Sequence, residues 1–198
     1  MVGDRSRCRQ VHGQVDLRPE ALLGPRPASR LDVPGPAVTD ARLTDAEIIG
    51  VRDRLEIRAL VDSYAFSVDS GEHERTAGLF AADGELRIFE RGNPVAVRER
   101  IGRAEIAAAM QGLSRYELTI HFVGNHRSEI DGDEATGETY CVANHVRTVD
   151  EGGGPDGRSN YVMHVRYLDR YTRTDEGWKI KQRHLMLEFT EDRPVTGP

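Results

Sequence analysis

The sequence predicts an α+β fold in which a curved antiparallel sheet wraps around helices that come first in the chain. Two observations predict this class. Helical spacing of apolar residues dominates the early part of the 198-residue chain, and strand-like alternation at hairpin spacing fills most of the rest. Because no segment repeats, a single domain is expected.

The composition excludes several kinds of partner. The formal net charge is -6 and there is no basic block, so binding to nucleic acid is not expected. No apolar run reaches the length of a membrane span and no signal-peptide core opens the chain, so a cytoplasmic protein without membrane contact is expected. Cys8 and Cys141 have no neighbouring cysteine, which argues against a disulfide or a zinc site.

The two ends of the chain differ in composition from its middle. Five of the nine prolines fall between Pro19 and Pro36, among Gly, Arg and Asp. Such a segment buries too little apolar surface to offset its ordering entropy, so residues 1–43 are predicted to form a disordered arm. A docking arm on a neighbouring subunit and an over-extended start site are the alternatives. The folded domain is expected over residues 44–192, and residues 193–198 are expected to fray.

The ordered part begins with a long amphipathic helix. Thr44 and Glu47 form a capping-box pattern at its start. The apolar stripe that follows consists of Ile57, Leu60, Val61, Tyr64, Ala65 and Val68. The stripe ends on Asp69, just before the helix-stopping pair Ser70-Gly71. Asp69 is therefore an acid at the end of a buried face, where the helix dipole disfavours negative charge.

The remaining elements follow from shorter patterns. Short helices are predicted over 73–80 and 102–113, and strands over 85–89, 95–100, 159–172 and 178–189. The clearest pattern covers residues 116–149, which read as two strands joined by the tight turn Asp131-Gly132.

Both strands of this hairpin carry a histidine in an apolar setting. Side chains alternate along a strand, so His121 shares one face with Val123 and Asn125. His145 shares a face of its strand with Ala143 in the same way. If both faces line one concavity, two imidazoles point into a mostly apolar chamber, and some other group must orient them.

Short segments in a fixed order resemble a known family. They are RLEIRALVDSY at 54–64, VDSG at 68–71, LFAADG at 79–84, GRAEI at 102–106, HFVGN at 121–125, IDGDEA at 130–135, YLDRY at 167–171 and GWKI at 177–180. Together they span about residues 46–190. Their order and spacing are similar to the SnoaL-like branch of the nuclear transport factor 2 superfamily, and nearest in pattern to scytalone dehydratase and hexachlorocyclohexane dehydrochlorinase.

The resemblance implies a conical α+β barrel that encloses one deep pocket. It also implies catalytic roles for three residues. By motif position, Asp69 at the end of the first helix pairs with His121 on a central strand. His145 matches the second pocket histidine of the dehydratase.

The chain departs from the dehydratase in the residues that grip the substrate. Val68 and Phe89 stand where that enzyme has pocket tyrosines, and Val165 and Tyr167 replace its Ser and Asn. A different small substrate, alicyclic or polyketide-like, is therefore expected. The predicted substrate-binding residues are Tyr64, Val68, Phe89, Val123, Asn125, Cys141, Ala143, Met163, Val165 and Tyr167.

The three candidate catalytic residues suit acid-base chemistry. A carboxylate on one ring nitrogen of His121 fixes the tautomer, so that the other nitrogen takes a proton from a C–H next to a carbonyl or a leaving group. With His145 assisting the leaving group, dehydration, isomerisation or cyclisation needs no cofactor. Asp69 and the two histidines are also suitable metal ligands, but no further acid or thiol completes a shell, so no metal is expected.

Two other classes of function stay open. The same family fold serves as the non-catalytic small subunit of ring-hydroxylating dioxygenases, and it serves as a small-molecule-binding module. The Asp–His pattern favours an enzyme, either a lyase of the dehydratase kind or an isomerase or cyclase. The resemblance also implies a homo-oligomer, with a trimer favoured.

Overall fold

The computed structural model describes residues 42–197, so all but the last two residues of the predicted arm (1–43) lie outside the described residues. The helices are α1 (Asp45–Asp69), α2 (His73–Gly78) and α3 (Gly102–Gln111), which a 3₁₀ turn (Gly112–Arg115) continues. The strands are β1 (Phe80–Glu90), β2 (Arg98–Ile101), β3 (Leu118–Asp131), β4 (Glu134–Thr148), β5 (Arg158–Thr174) and β6 (Gly177–Pro194). None of the helices described here is both long enough and apolar enough to cross a membrane.

Helix α1 begins and ends where its sequence signals predict. The Glu47 carboxylate accepts a hydrogen bond from the backbone N–H of Thr44 at 2.8 Å, and the Thr44 hydroxyl accepts one from the Glu47 backbone N–H at 3.3 Å. Asp69 is the last helical residue, and Gly71 follows with φ +68°, a conformation that favours glycine. The predicted stripe is buried at Ile57, Val61, Tyr64, Ala65 and Val68.

The six strands form one sheet in the order β2-β1-β6-β5-β4-β3. Neighbouring strands run antiparallel, except β1 and β6, which run parallel. The edge strands β2 and β3 do not pair with each other, so the curved sheet stays unclosed. Buried residues of α1 and α3 share one core cluster with residues from the inner face of the sheet. The predicted α+β class is therefore confirmed.

The strands match the predicted order and extend beyond the predicted ends. The tight turn of the central hairpin lies at Gly132, where φ is +60°. Strand β1 begins at Phe80, inside the segment predicted to end the second helix. Strand β6 continues to Pro194, whereas fraying was expected from Arg193, because β5 pairs with it up to Ser159 opposite Pro194.

A fully buried ion pair crosses the core. Arg183 donates hydrogen bonds to both carboxylate oxygens of Asp169, at 2.9 and 2.7 Å, and the Tyr171 hydroxyl donates a third at 2.8 Å. The guanidinium also lies 4.2 Å from the ring centroids of Tyr64 and Tyr167. Because Tyr64 belongs to α1 and Tyr167 to β5, this stack joins the helix to the sheet.

Replacing Arg183 by Met is expected to lower the free energy of unfolding by about 3–5 kcal/mol, because the Asp169 carboxylate would stay buried without a counter-charge. Urea denaturation measures the loss. Arg127→Met is the matched control, since Arg127 pairs with Glu138 at 2.6 Å but its side chain is 79 % exposed. That control should lose less than about 1 kcal/mol. Equal, small losses in both variants would contradict the importance of the buried pair.

Candidate active site

The C-terminal end of α1 lies against β3, and this contact brings Asp69 and His121 together. The Asp69 Oδ1 and His121 Nδ1 atoms are 2.6 Å apart. The backbone N–H of His121 donates to Oδ2 at 2.7 Å, and the Thr119 hydroxyl donates to Oδ1 at 3.0 Å. Three donors from one strand thus hold the carboxylate in place.

The protonation of this pair follows from its contacts. Burial disfavours the charged form of Asp69, but the hydrogen bonds from the His121 side chain and backbone outweigh it, so the pKa of Asp69 is lowered. An ionised carboxylate only accepts hydrogen bonds, so the shared proton lies on His121 Nδ1. In the neutral ring, Nε2 of His121 is therefore unprotonated and has no hydrogen-bond partner among residues 42–197.

His145 lies beside this pair on the neighbouring strand β4. Its ring centroid is 5.5 Å from that of His121, and the two rings are nearly perpendicular at 85°. The Tyr116 ring packs on the other side, with 4.7 Å between centroids. The backbone N–H of His145 donates to the Asn160 side chain at 3.0 Å. The histidine is buried, and these contacts hold its ring beside that of His121.

The charge of His145 is also set by its surroundings. Its Nδ1 lies 3.2 Å from the backbone carbonyl oxygen of Tyr161, which only accepts, so Nδ1 carries the proton. Burial, followed by the nearby His121, lowers the pKa of His145 to about 4. At neutral pH, His145 is therefore uncharged and its Nε2 is a hydrogen-bond acceptor.

A cavity of about 450 Å³ opens in front of the two imidazoles. Small-molecule sites commonly have volumes of about 300–1,000 Å³. Helices α1 and α3 and the inner face of the sheet supply a mostly apolar wall. Six of the predicted substrate-binding residues belong to that wall, namely Tyr64, Val68, Ala143, Met163, Val165 and Tyr167.

The assignment of Phe89 to the cavity wall is wrong. Leu86 and Ile88 face the cavity, and side chains alternate along β1, so Phe89 points to the other face of the sheet. There its ring lies 4.9 Å from the ring of His184. The family resemblance assigned Phe89 to the pocket by its position in the sequence. The alternation of side chains along β1 decides the direction in which it points.

The assignment of Asn125 is also wrong, and a β-bulge is the reason. Val123 pairs with Cys141 but His126 pairs with Thr139, so β3 holds one residue more than β4 between these pairs. The extra residue reverses the alternation. Asn125 is exposed on the outer face, and His126 turns inward, where its Nδ1 lies 2.9 Å from the Thr139 hydroxyl.

Val123 and Cys141 pack into the hydrophobic core and do not line the cavity. They face each other across β3 and β4. Burial raises the pKa of the Cys141 thiol to about 11, so it stays protonated at neutral pH. Cys141 is therefore a packing residue, since only the thiolate is a good nucleophile.

Two tyrosines add hydroxyl groups to the wall, and the sequence interpretation missed both. Tyr161 pairs with His145 in the β4–β5 register and shares the parity of Met163, so strand alternation was a usable signal. Tyr116 precedes β3, where no periodicity indicates a direction. Its hydroxyl accepts a hydrogen bond from Arg115 Nη2 at 3.0 Å, which leaves its own proton free to donate.

Asp69, His121 and His145 are side chains of the kinds that also bind metal ions. In the part of the chain that the structure describes, no group of three or more His, Cys, Asp or Glu side chains is arranged to hold a metal ion. Asp69 and Nδ1 of His121 bind each other. The ring nitrogens of His121 and His145 that have no hydrogen-bond partner within residues 42–197 are the two Nε2 atoms.

The fold and this site define a protein of the SnoaL-like class, a branch of the NTF2-like superfamily. The model of the SnoaL-like domain matches residues 50–184, so the chain belongs to that family. An uncharacterised protein of Mycobacterium tuberculosis is 24 % identical over 133 residues, which cover 67 % of this chain and 84 % of that protein.

Solved structures share the fold. A candidate scytalone dehydratase from Novosphingobium aromaticivorans is 21 % identical with a TM-score of 0.60, covering 79 % of this chain and 99 % of that one. LinA is 20 % identical with a TM-score of 0.58, covering 77 % and 96 %. The β subunit of a candidate aromatic-ring-hydroxylating dioxygenase, also from N. aromaticivorans, is 18 % identical with a TM-score of 0.57, covering 72 % and 92 %.

His145 is expected to stay neutral, with its proton on Nδ1, down to about pH 5, because its pKa is lowered to about 4. Long-range ¹H–¹⁵N spectra of labelled protein report the tautomer and charge of each histidine, and His145→Gln assigns the signal. Between pH 6.5 and 4 the unfolded chain binds a proton at this residue that the folded chain does not. The free energy of unfolding should therefore fall as the pH decreases through this range, and less steeply in His145→Gln. An imidazolium at His145 at pH 6 would contradict the assignment.

Proposed function

We propose that this protein is a cofactor-independent acid-base enzyme acting on a small alicyclic or polyketide-like molecule. The reaction is a dehydration, an isomerisation or a cyclisation that begins with removal of a proton from carbon. The observation that carries the proposal is the 2.6 Å contact between Asp69 Oδ1 and His121 Nδ1 at the wall of a mostly apolar cavity.

His121 Nε2 is the proposed base. Asp69 holds the proton on Nδ1 and stabilises the imidazolium that forms when Nε2 takes a proton from the substrate. A base placed in this way contributes about 10² to 10⁴ in rate. The apolar wall supports this role, because exclusion of water strengthens each electrostatic contact with the reacting atoms.

His145 was expected to assist the leaving group as a proton donor, but its contacts favour a different role. The neutral Nδ1–H tautomer offers only a lone pair at Nε2. We infer that His145 accepts a hydrogen bond from a substrate hydroxyl and orients it. The Tyr116 hydroxyl, which accepts from Arg115, is then the candidate donor to the leaving or carbonyl oxygen.

A second candidate function is that of a structural subunit. The dioxygenase β subunit in N. aromaticivorans has the same fold, which favours this alternative. A fold hosts many functions, and function is argued from the site. A structural subunit has no need for a carboxylate held by three donors beside a cavity-facing histidine, so the enzyme is preferred over this role and over a binding module.

Asp69→Asn and His121→Ala are each expected to lower kcat by about 10² to 10⁴ with little change in substrate affinity. In Asp69→Asn, the side-chain oxygen must accept the hydrogen bond from the backbone N–H of His121, so the NH₂ group faces Nδ1. Because NH₂ only donates, Nδ1 must accept and the ring proton moves to Nε2. The double variant should be hardly worse than either single variant, because the two groups act as a unit. Steady-state kinetics on a panel of cyclic β-hydroxy ketones measures these effects.

The chain offers a matched control for this experiment. His164 Nε2 lies 3.0 Å from Glu191 Oε2 outside the cavity, so His164→Ala removes a histidine from a similar His–carboxylate pair. That variant should keep the wild-type kcat. Wild-type turnover in both Asp69→Asn and His121→Ala would refute the mechanism and would favour the binding module.

We also propose a cytoplasmic homo-oligomer, with a trimer favoured. Large apolar side chains are exposed on the outer face of the sheet, namely Leu118, Ile120, Phe122, Tyr140, Leu168 and Phe189. Several large apolar side chains exposed on one face are typical of a protein interface.

Light scattering at micromolar concentration should give a multiple of the 22.1 kDa chain mass. Phe122→Glu should reduce that mass, because it buries a charge in the interface. Phe66→Glu is the control, since Phe66 is 72 % exposed on α1 against 70 % for Phe122 on the sheet. A wild-type protein that remains monomeric would count against the oligomer.

A further inference from the structure

Strand β2 presents two arginines to the cavity. In the β1–β2 register, Arg98 lies opposite Ile88 and Arg100 lies opposite Leu86. Residues opposite each other in a sheet project from the same face, and Leu86 and Ile88 face the cavity. Glu99 alternates to the other face, where its carboxylate lies 2.6 Å from Arg87 Nε.

A third arginine reaches the same cavity from another element. Arg115 ends the 3₁₀ turn and lies over the Tyr116 ring, 4.7 Å from its centroid. Tyr116 in turn packs on His145. The positive charge of Arg115 contributes to the lowered pKa of His145, after burial and His121, which indicates that it lies close to the catalytic chamber.

These three guanidinium groups have no carboxylate partner within 4.0 Å among residues 42–197. Most other arginines in that range form an ion pair, including the surface residues Arg127 and Arg193. The one side-chain hydrogen bond of Arg100 within this range is to the backbone carbonyl of Glu99.

One carboxylate, Glu90, also lines the cavity. It follows Ile88 by two residues on β1 and so belongs to the same face. It forms no ion pair with the described arginines, and with three arginines against one glutamate the cavity wall keeps a net positive charge. The Asp69 carboxylate beside the neutral form of His121 adds one further negative charge and His145 is neutral, so the three arginines still exceed the two carboxylates by one charge.

We propose that the substrate carries an oxyanion group, a carboxylate in the first instance, which Arg98, Arg100 and Arg115 bind while the apolar body reaches His121. The inference rests on the proposed function and specifies its substrate class. A guanidinium is always charged and its planar fork matches a carboxylate or phosphate in two parallel hydrogen bonds. At the partly exposed cavity rim, three arginines keep their charge at low desolvation cost until the anion arrives.

Calorimetric binding at pH 7.5 tests this inference with paired probes. The pairs are benzoate with benzamide, cyclohexanecarboxylate with its carboxamide, and 2-naphthoate with 2-naphthamide. In the wild-type protein at least one carboxylate should bind about tenfold more tightly than its carboxamide, and the preference should shrink as salt is raised. Binding of 2-naphthyl phosphate, measured in the same way, tells whether the preferred oxyanion is a carboxylate or a phosphate.

Variants identify the side chains that cause the preference for the carboxylate. Arg98→Gln combined with Arg100→Gln should remove the preference, Arg115→Gln should reduce it, and Glu90→Gln should increase it. Arg170→Gln is the matched control, because Arg170 is exposed on β5, makes no ion pair within residues 42–197 and lies outside the cavity wall. Carboxamide binding should be unchanged in all four, which shows that the apolar wall is intact.

The inference is overturned if neither a carboxylate of the panel nor 2-naphthyl phosphate binds more tightly than the matching carboxamide, or if the preference survives in the Arg98→Gln, Arg100→Gln double variant. Because binding is measured without turnover, either result leaves the test of the Asp69–His121 base untouched. Conversely, an active His121→Ala protein would refute the proposed reaction, while its carboxylate preference would still support the anion site.

Discussion

The position of helix α1 on the sheet is the constraint on which the site depends. Two Asp–Arg contacts fix it. Near its start, the buried Asp53 accepts hydrogen bonds from Arg173 of β5 at 2.9 and 2.8 Å, and one from the Trp178 indole. Further along, the Arg183–Asp169 pair stacks on Tyr64 of the helix.

The position of α1 determines where Asp69 lies, five residues beyond Tyr64. A helix rises about 1.5 Å per residue, so a shift of α1 by one residue would break the 2.6 Å contact with His121. Buried polar contacts are geometrically demanding and costly when left unpaired, which makes them effective at fixing one register between two packed elements. The core ion pairs therefore help to hold the end of α1, and with it Asp69, against His121.

The two histidines of the site share one hydrogen-bonding pattern. Both histidines use Nδ1 toward an acceptor, one toward a carboxylate and the other toward a backbone carbonyl. Each therefore presents an unprotonated Nε2 in its neutral form. In the proposed reaction, tyrosine hydroxyls or the substrate itself would donate the proton, and arginines at the cavity rim would supply positive charge.

Proteins with different activities share this fold, so the fold alone does not identify the activity. A dehydratase candidate, LinA and a dioxygenase β subunit share it at 18 to 21 % identity, so the architecture alone selects none of these activities. What distinguishes this chain is its own set of cavity residues. The proposed chemistry rests on the apolar wall, on the Asp69–His121 contact and on three arginines that form no ion pair within residues 42–197.

Much of the fold follows from local pattern. The capping box at Thr44, the stripe that ends at Asp69 and the Asp131-Gly132 turn determine their elements by near-neighbour interactions, which a linear sequence contains in full. Strand alternation likewise placed His145 and Ala143 on the cavity side of β4.

The rest was decided by tertiary structure. The bulge that turns Asn125 outward depends on how β3 registers against β4, and the parallel pairing of β1 with β6 joins segments about a hundred residues apart. The cavity wall at Tyr116 and Arg115 comes from an irregular turn without periodicity. The sequence by itself determined which residues are available and which local elements they form. Only the tertiary structure decided which of them meet, because register and bulges depend on contacts between distant strands.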